Sequence, residues 1–447
     1  MSEAPPAAME PTGTLDVRRL IDERPASRFQ VGVAVLCGAI VFLDGFDALI
    51  MGYVAPALRE QFHLKPPELG PVLSFGLIGM MVGALVFGPL ADRIGRRPVL
   101  LICPLIFGAG SLLAANASSV NELLVFRLLT GFGMGGAMPN AIALTAEYMP
   151  KRIRAIAVTT MFCGFSLGSA AVGWVAALVI PSLGWPWVLR IGGILPIAIT
   201  AVAFVWLPES VRFLVRRRAG DPRARGYVAR IAPDVQAVSR SAVLTVEEEP
   251  RGGFPVVQLF TAGRHWVTLL LWVMFFANLL DLYFVNSWMP TIMKDVGMPQ
   301  GRAIVITTLF QVGGTVGAIV IGKLFDRNLS FRALALGYLI AAVCVFLIGE
   351  STSTPWLVVM VFMSGFGVIG SQNGANAMAA EVYPTAARST GVGWALGVGR
   401  IGSILGPNLG AMLVGATPRL FLFAAVPLTI AATAALVASV VHKERPT

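Results

Sequence analysis

Asp44, Asp47, Arg127, Asp281 and Arg400 stand inside stretches that are otherwise continuously apolar. Asp44 and Asp47, in FLDGFDALIMGYVAPAL (residues 42 to 58), are three apart, which on a helix puts both on one face. Deep in an apolar medium, like charge and desolvation both oppose ionising the two together. A carboxyl poised to gain and lose a proton near neutrality is the chemistry a proton relay needs. The alternative is that one acid of the two is locked in an ion pair with Arg127 or Arg400.

Arg127, in RLLTGFGMGG (127 to 136), lies about a third of the way into its apolar run. A buried arginine costs roughly 2.5 to 3.5 kcal/mol on insertion scales, so it ordinarily turns to a paired or aqueous interior. Snorkelling to the near surface is the competing reading. Arg400 lies deeper, with Gly397 three positions earlier leaving space on the same face. Two uses of such a cation stand: binding an anionic group, or a structural pair with Asp281 or Asp47.

These residues must be positioned by membrane-spanning helices. The 447-residue chain is 56% hydrophobic and 13% charged, with a mean hydropathy of +0.76. Apolar runs of the roughly 20 residues needed to cross hydrocarbon occupy 30–57, 67–91, 97–116, 120–145, 154–180, 186–207, 265–292, 301–325, 331–350, 355–380, 388–415 and 418–441. They are continuously apolar rather than alternating, which favours helices over a barrel and predicts an all-α polytopic membrane protein with twelve transmembrane helices. Basic residues crowd the loops on one side, and only Arg59, Lys65, Lys294, Arg302 and Arg419 fall on the other. The formal charge of +10 is therefore an orientation signal, with both termini cytoplasmic, and not a nucleic-acid footprint. No cleavable signal peptide is expected at the Pro/Ala-rich start, and Cys37, Cys103, Cys163 and Cys344 read as packing residues.

Self-similarity recurs at one offset of 234. GPLADR (88 to 93) faces GKLFDR (322 to 327), and AEYMPKRIR (146 to 154) faces AEVYPTAAR (380 to 388). The same offset carries Asp44 to Asn278 and Asp47 to Asp281. The organisation read from this is a cytoplasmic tail (1–28), a six-helix bundle (29–207), a polar basic connector (208–264), a second six-helix bundle (265–441) and a short cytoplasmic tail (442–447).

Two such pseudo-repeats in parallel are the architecture of major facilitator transporters, and GPLADRIGRRPVL (88 to 100) resembles the signature loop of that superfamily. In it Gly88 permits close helix approach, Asp92 stands where it can meet helix N-terminal amides, and Arg93, Arg96 and Arg97 mark the cytoplasmic boundary. LDGFDALIMGYVAPAL resembles the first-helix signature of the aromatic acid:proton symporter family, and LDVRRLIDERPASRFQ its lead-in. The resemblance implies import of an aromatic carboxylate, such as a hydroxybenzoate or protocatechuate, with protons. It implies coupling roles for Asp44, Asp47 and Arg127, to which Asp281 is added as an intramembrane acid, and conformational gating by Gly88, Asp92, Arg93, Arg96, Arg97, Glu147 and Arg388. Arg400 is expected to take the substrate carboxylate, with Phe46, Tyr283, Phe310 and Trp394 as candidates for the ring.

The expected setting is a bacterial inner membrane, with the protein a monomer. No cofactor beyond the coupling proton, no metal and no nucleic acid is expected. An efflux antiporter or a symporter for another organic anion is the alternative; the fifth span lacks the Gly-Pro pair such antiporters carry, while Gly406-Pro407 sits in the eleventh. A membrane enzyme is disfavoured because His63, His265 and His442 lie at helix ends or in loops without metal-ligand spacing, and no catalytic residue is assigned. A non-transporting receptor is disfavoured by a connector too short for a folded signalling domain.

Overall fold

In the computed structural model the described residues are 14–218, 220–233, 243–246, 259–261, 263–295, 297–325, 330–350, 353–383, 388–413 and 417–443. Twelve long helices among them follow the twelve apolar runs: α2 (Arg28–Gln61), α3 (Pro66–Ile94), α4 (Arg96–Ala114), α5 (Val120–Tyr148), α6 (Lys151–Leu183), α7 (Trp185–Trp206), α10 (His265–Asp295), α11 (Gln300–Phe325), α12 (Ser330–Glu350), α13 (Thr354–Val382), α14 (Arg388–Leu413) and α15 (Thr417–Lys443). The shortest, α4, has 19 residues and a rise of about 29 Å, enough for the hydrocarbon thickness. Ten of them are long and apolar enough to cross a membrane by length and composition. The remaining two, α5 and α14, have 29 and 26 residues, and they carry Arg127 and Arg400.

Local chemistry sets the boundaries. Ser27 and Gln30 form a capping box at the start of α2, and Ser119 caps α5. Between α3 and α4 the chain turns on Gly95 at φ 103°, a left-handed conformation that disfavours any side chain.

The same pairings recur in each half. In the first, α2 packs on α6, α3 on α5 and α4 on α7; in the second, α10 packs on α14, α11 on α13 and α12 on α15. Across the halves, α2 meets α10, α3 meets α14 and α6 meets α11. Two of these contacts join residues related by the 234 offset. A side chain at Gly52 would strike the carbonyl of Asn286, and Lys294 Nζ lies 2.6 Å from Glu60 Oε1. Beside the latter, Arg59 Nη1 lies 2.8 Å from Asp295 Oδ2. All of these lie toward the end remote from the chain termini. Toward the other end, Gly88 of α3 and Gly393 and Gly397 of α14 face open space. The halves are thus joined at the end remote from the termini.

One small element departs from an all-helical reading. β1 (Thr14–Asp16) pairs in parallel with β2 (Val243–Thr245), and is followed by α1 (Val17–Asp22). The N-terminal tail is docked from residue 14 onward, because Leu15, Val17, Leu20 and Ile21 offer an apolar face. That face packs with α8 (Val211–Arg217) and α9 (Pro222–Ile231) of the connector. Asp22 ties this cap to α6, accepting from Lys151 N at 2.8 Å and Arg154 Nη2 at 2.6 Å.

Candidate functional site

Mid-helix on α2, Asp44 and Asp47 are both buried, as are Arg127 and Asp281. Arg127 turns inward rather than snorkelling: Nη1 donates to Asp47 Oδ1 at 3.2 Å and Oδ2 at 3.4 Å, and Nη2 to Thr130 Oγ1 at 3.2 Å. In a low dielectric that pairing compensates the desolvation both ions suffer. Of the alternatives open from the sequence, Asp47 is the acid held in an ion pair. Asp44 makes none among the described residues, its Oδ1 is buried without a hydrogen-bond partner, and its electrostatic neighbours include Asp47 and Arg400.

Arg400 is half-buried on α14. Its Nη1 approaches the Tyr283 hydroxyl at 3.5 Å and the Met80 sulfur at 3.7 Å, and it forms no ion pair among the described residues. The structural pair with Asp281 or Asp47 is not formed. A guanidinium offers five N–H donors, so most of this group's capacity is unused.

A pocket lies beside Arg127, and Arg400 adjoins it through Met80 and Tyr283, which line it. Asp47 and Arg127 line one wall, Tyr283, Asn286 and Ser287 of α10 another, and Leu77 and Met80 of α3 supply apolar surface. A cationic group and polar side chains converging on an apolar chamber suit a small amphipathic anion.

Of the aromatic residues expected at a ring, Tyr283 lines this chamber. The other three do not line it. Phe46 packs toward α7 near Gly192, because it is one position, 100° of helix, away from Asp47. Phe310 is wholly buried in the apolar core, on the helix whose backbone meets Gly365 of α13. Trp394 is 45% exposed and stacks on Trp272 at 5.8 Å; six positions from Arg400, it points to a different face of α14.

Asp281 lies outside the chamber lining, fully buried, with neither carboxylate oxygen hydrogen-bonded. The position equivalent to Arg127 is Val361, so the second half has no matching cation there. Asn278, the counterpart of Asp44, donates to Gln372 Oε1 at 2.5 Å.

The signature loop also differs from expectation. A side chain at Gly88 would meet nothing within 4 Å, so the close approach is not made here. Asp92 and Arg93 are exposed. The amides at the start of α4 are taken by Glu209 instead, whose Oε1 accepts from Arg96 N at 2.9 Å and Arg97 N at 3.2 Å. Arg96 pairs with Glu147, which also accepts from Ser210 Oγ at 2.5 Å. Arg97 donates to the Phe204 carbonyl at 2.5 Å. Glu209 and Ser210 were not singled out; the signal was an acid and a hydroxyl directly after the sixth span, at the start of a basic connector. The Arg388 side chain, and Asp326 and Arg327 in the second copy of the loop, lie outside the described residues. No group of three or more His, Cys, Asp or Glu suited to a metal occurs among the described residues.

The sequence profile of the Major Facilitator Superfamily matches residues 36–407 and 271–447. The chain belongs to the major facilitator superfamily. Within it, the chain is 44% identical to the 4-hydroxybenzoate transporter of Pseudomonas putida, over 90% of each chain, and 41% identical to the gallate transporter of the same species, over 94% of each. These relatives bear out the expected resemblance to aromatic acid transporters, and the chain is not an enzyme. Among solved structures, the fold matches a bacterial homologue of the human lysosomal transporter Spinster, in an inward-facing and unoccupied conformation, at a TM-score of 0.74 and 18% identity, covering 95% of this chain and 100% of that one. A D-xylose-proton symporter matches at a TM-score of 0.70 and 18% identity, covering 91% and 96%. The major facilitator fold expected from the repeat is the fold observed.

Proposed function

We propose that this protein is a proton-coupled symporter that imports an aromatic carboxylate of the hydroxybenzoate or protocatechuate class by alternating access. It works as a monomer in a bacterial inner membrane, with both termini cytoplasmic and the proton as its coupling ion. The relatives named above support the substrate class. The observation that carries the reading is Arg400: a half-buried guanidinium without an ion pair among the described residues, adjoining through Tyr283 and Met80 a pocket whose lining arginine, Arg127, is already neutralised by Asp47. An anionic substrate supplies the missing charge, and Tyr283 at 3.5 Å adds a hydroxyl and a ring face.

In the proposed orientation the joined end of the halves faces the outside. From the outward-facing state, Asp44 takes a proton and Arg400 the carboxylate. The loaded cavity then carries less uncompensated charge, and reorientation becomes cheaper. Release of both on the inside leaves an empty carrier in which the Asp47–Arg127 pair keeps the interior close to neutral for the return.

The test is uptake of labelled 4-hydroxybenzoate and protocatechuate into proteoliposomes under an imposed inward proton gradient, beside a sugar and a cationic drug. Gradient-dependent accumulation of the aromatic acids alone is expected. Accumulation only of the sugar or the drug, or aromatic acid flux indifferent to the gradient, would overturn the reading.

A further inference from the structure

Asn286 and Ser287 on α10 follow Tyr283 by three and four positions, so they lie about one helical turn, roughly 5.4 Å, further along the same face. All three line the chamber. Tyr283, with Arg400 against its hydroxyl, stands at one level of it, and Asn286 and Ser287 a turn beyond, toward the end where the halves are joined. One turn is comparable with the distance from a benzoate carboxylate to a substituent on the far side of its ring.

The two side chains are prepared differently. The Asn286 carboxamide is held rigidly: Oδ1 accepts from Gln311 Nε2 at 2.9 Å and Nδ2 donates to the Leu282 carbonyl at 2.9 Å. One Nδ2 hydrogen remains. Ser287 has no hydrogen bond among the described residues, although it is only 8% exposed. Hydroxyls in membrane helices ordinarily bond back to a carbonyl one turn earlier, as Thr307, Thr308 and Ser403 do here. Ser287 is left with a free donor and acceptor at the wall of the pocket, where a ligand can reach them. The backbone at this point is fixed as well, since Gly52 of α2 lies against the Asn286 carbonyl.

We propose that Ser287 and Asn286 form the subsite that reads a ring hydroxyl of the aromatic carboxylate, with Gln311 as the residue that positions Asn286. The phenolic O–H donates to Ser287 Oγ, and its oxygen accepts the remaining Asn286 N–H. Met80 and Leu77 supply the apolar wall between the two polar ends. This rests on the aromatic-acid reading above, and it adds how hydroxylated rings are told from a bare ring.

The experiment compares equilibrium binding of 4-hydroxybenzoate and benzoate to the purified full chain in detergent. Wild type is expected to prefer the hydroxylated acid. Ser287→Ala should weaken 4-hydroxybenzoate about 3- to 10-fold and leave benzoate unchanged, as loss of one neutral hydrogen bond implies. Ser287→Thr, which keeps a hydroxyl, should restore the preference. Gln311→Leu should reduce the preference without removing benzoate binding. Equal weakening of both acids in Ser287→Ala, or an unchanged ratio between them, would overturn the subsite while leaving aromatic-acid binding intact. Failure of both acids to bind folded wild-type chain would overturn the underlying reading instead.

Discussion

Arg127 holds Asp47 at 3.2 Å, yet at the equivalent sites 234 residues later the chain has Asp281 and Val361. Duplication therefore gave two acids in equivalent places and a cation for only one of them. Breaking a buried pair from one side strands a charge, which costs about 3 to 5 kcal/mol, whereas removing both partners costs much less. Arg127→Leu should lower the unfolding midpoint in detergent sharply, and adding Asp47→Asn should recover most of the loss. Additive destabilisation in the double variant would show that the pair is not the stabilising unit.

Arg400 lacks the partner that Arg127 has, so its removal should be felt in binding more than in folding. A charge-assisted hydrogen bond is worth about 1.5 to 3 kcal/mol, or roughly 10- to 150-fold in affinity. Arg400→Met should weaken 4-hydroxybenzoate binding by that factor with little change in thermal stability. Arg400→Lys should recover only part of it, because an ammonium cannot offer a bidentate fork. Unaltered affinity in Arg400→Met would remove Arg400 from the site.

Asp44 has a buried oxygen without a partner and no ion pair among the described residues, so of the two α2 acids it is the one whose proton is not already replaced by an arginine. Asp44→Asn should abolish accumulation driven by an imposed proton gradient while substrate exchange across a gradient-free membrane persists. Retained gradient-driven accumulation would shift the coupling role to another acid.

Most of this architecture could be read from residue order, because hydropathy is a property of long windows. The twelve helices begin and end within a few residues of the apolar runs, and the 234 offset foretold that the second half repeats the first. What could not be read were facings and distant contacts. Trp394 and Arg400 share a helix, but six positions turn them to different sides, and residue type alone does not mark which side Tyr283 meets. Glu209 caps α4 from more than a hundred residues away, a relationship only the folded chain brings together. Asn286 and Ser287 were invisible for a related reason. Uncharged polar side chains in membrane helices usually bond to their own backbone, so type and position alone gave them no distinction.

Gly52 stands where α2 meets α10, against the backbone of Asn286. Its counterpart on the other half is Asn286 itself, so this contact lies on the pseudo-twofold axis relating the halves. A larger residue has nowhere to go, because the obstructing atoms are backbone. Gly52→Leu should therefore disfavour the observed state and open the end bearing Glu60 and Lys294. Spin labels at positions 60 and 294 should report a longer mean distance in Gly52→Leu than in the parent. An unchanged distance distribution would mean that this contact does not control closure.

Glu209 performs a task the signature loop was expected to do for itself. Its carboxylate accepts the N–H groups of Arg96, Arg97 and Ser210, and the first two open α4 directly after Gly95. An acid at a helix N-terminus satisfies orphan amides and complements the positive end of the dipole. The Tyr148 hydroxyl donates to the Glu209 carbonyl at 2.6 Å, and Gln30 Nε2 to the Tyr148 carbonyl at 2.6 Å, so the same residue links α4 to α5 and α2. Cap removal typically costs about 0.5 to 2 kcal/mol. Glu209→Ala should fall at the upper end of that range and Glu209→Gln lower, since glutamine keeps an acceptor and loses only the charge. Gly95→Ala should destabilise by a comparable amount, for it sets a side chain at φ 103° and drives it into the Glu209 carboxylate. Thermal unfolding of the three variants in one detergent gives the ranking. Glu209→Gln as damaging as Glu209→Ala would mean that charge, rather than hydrogen-bond acceptance, carries the cap.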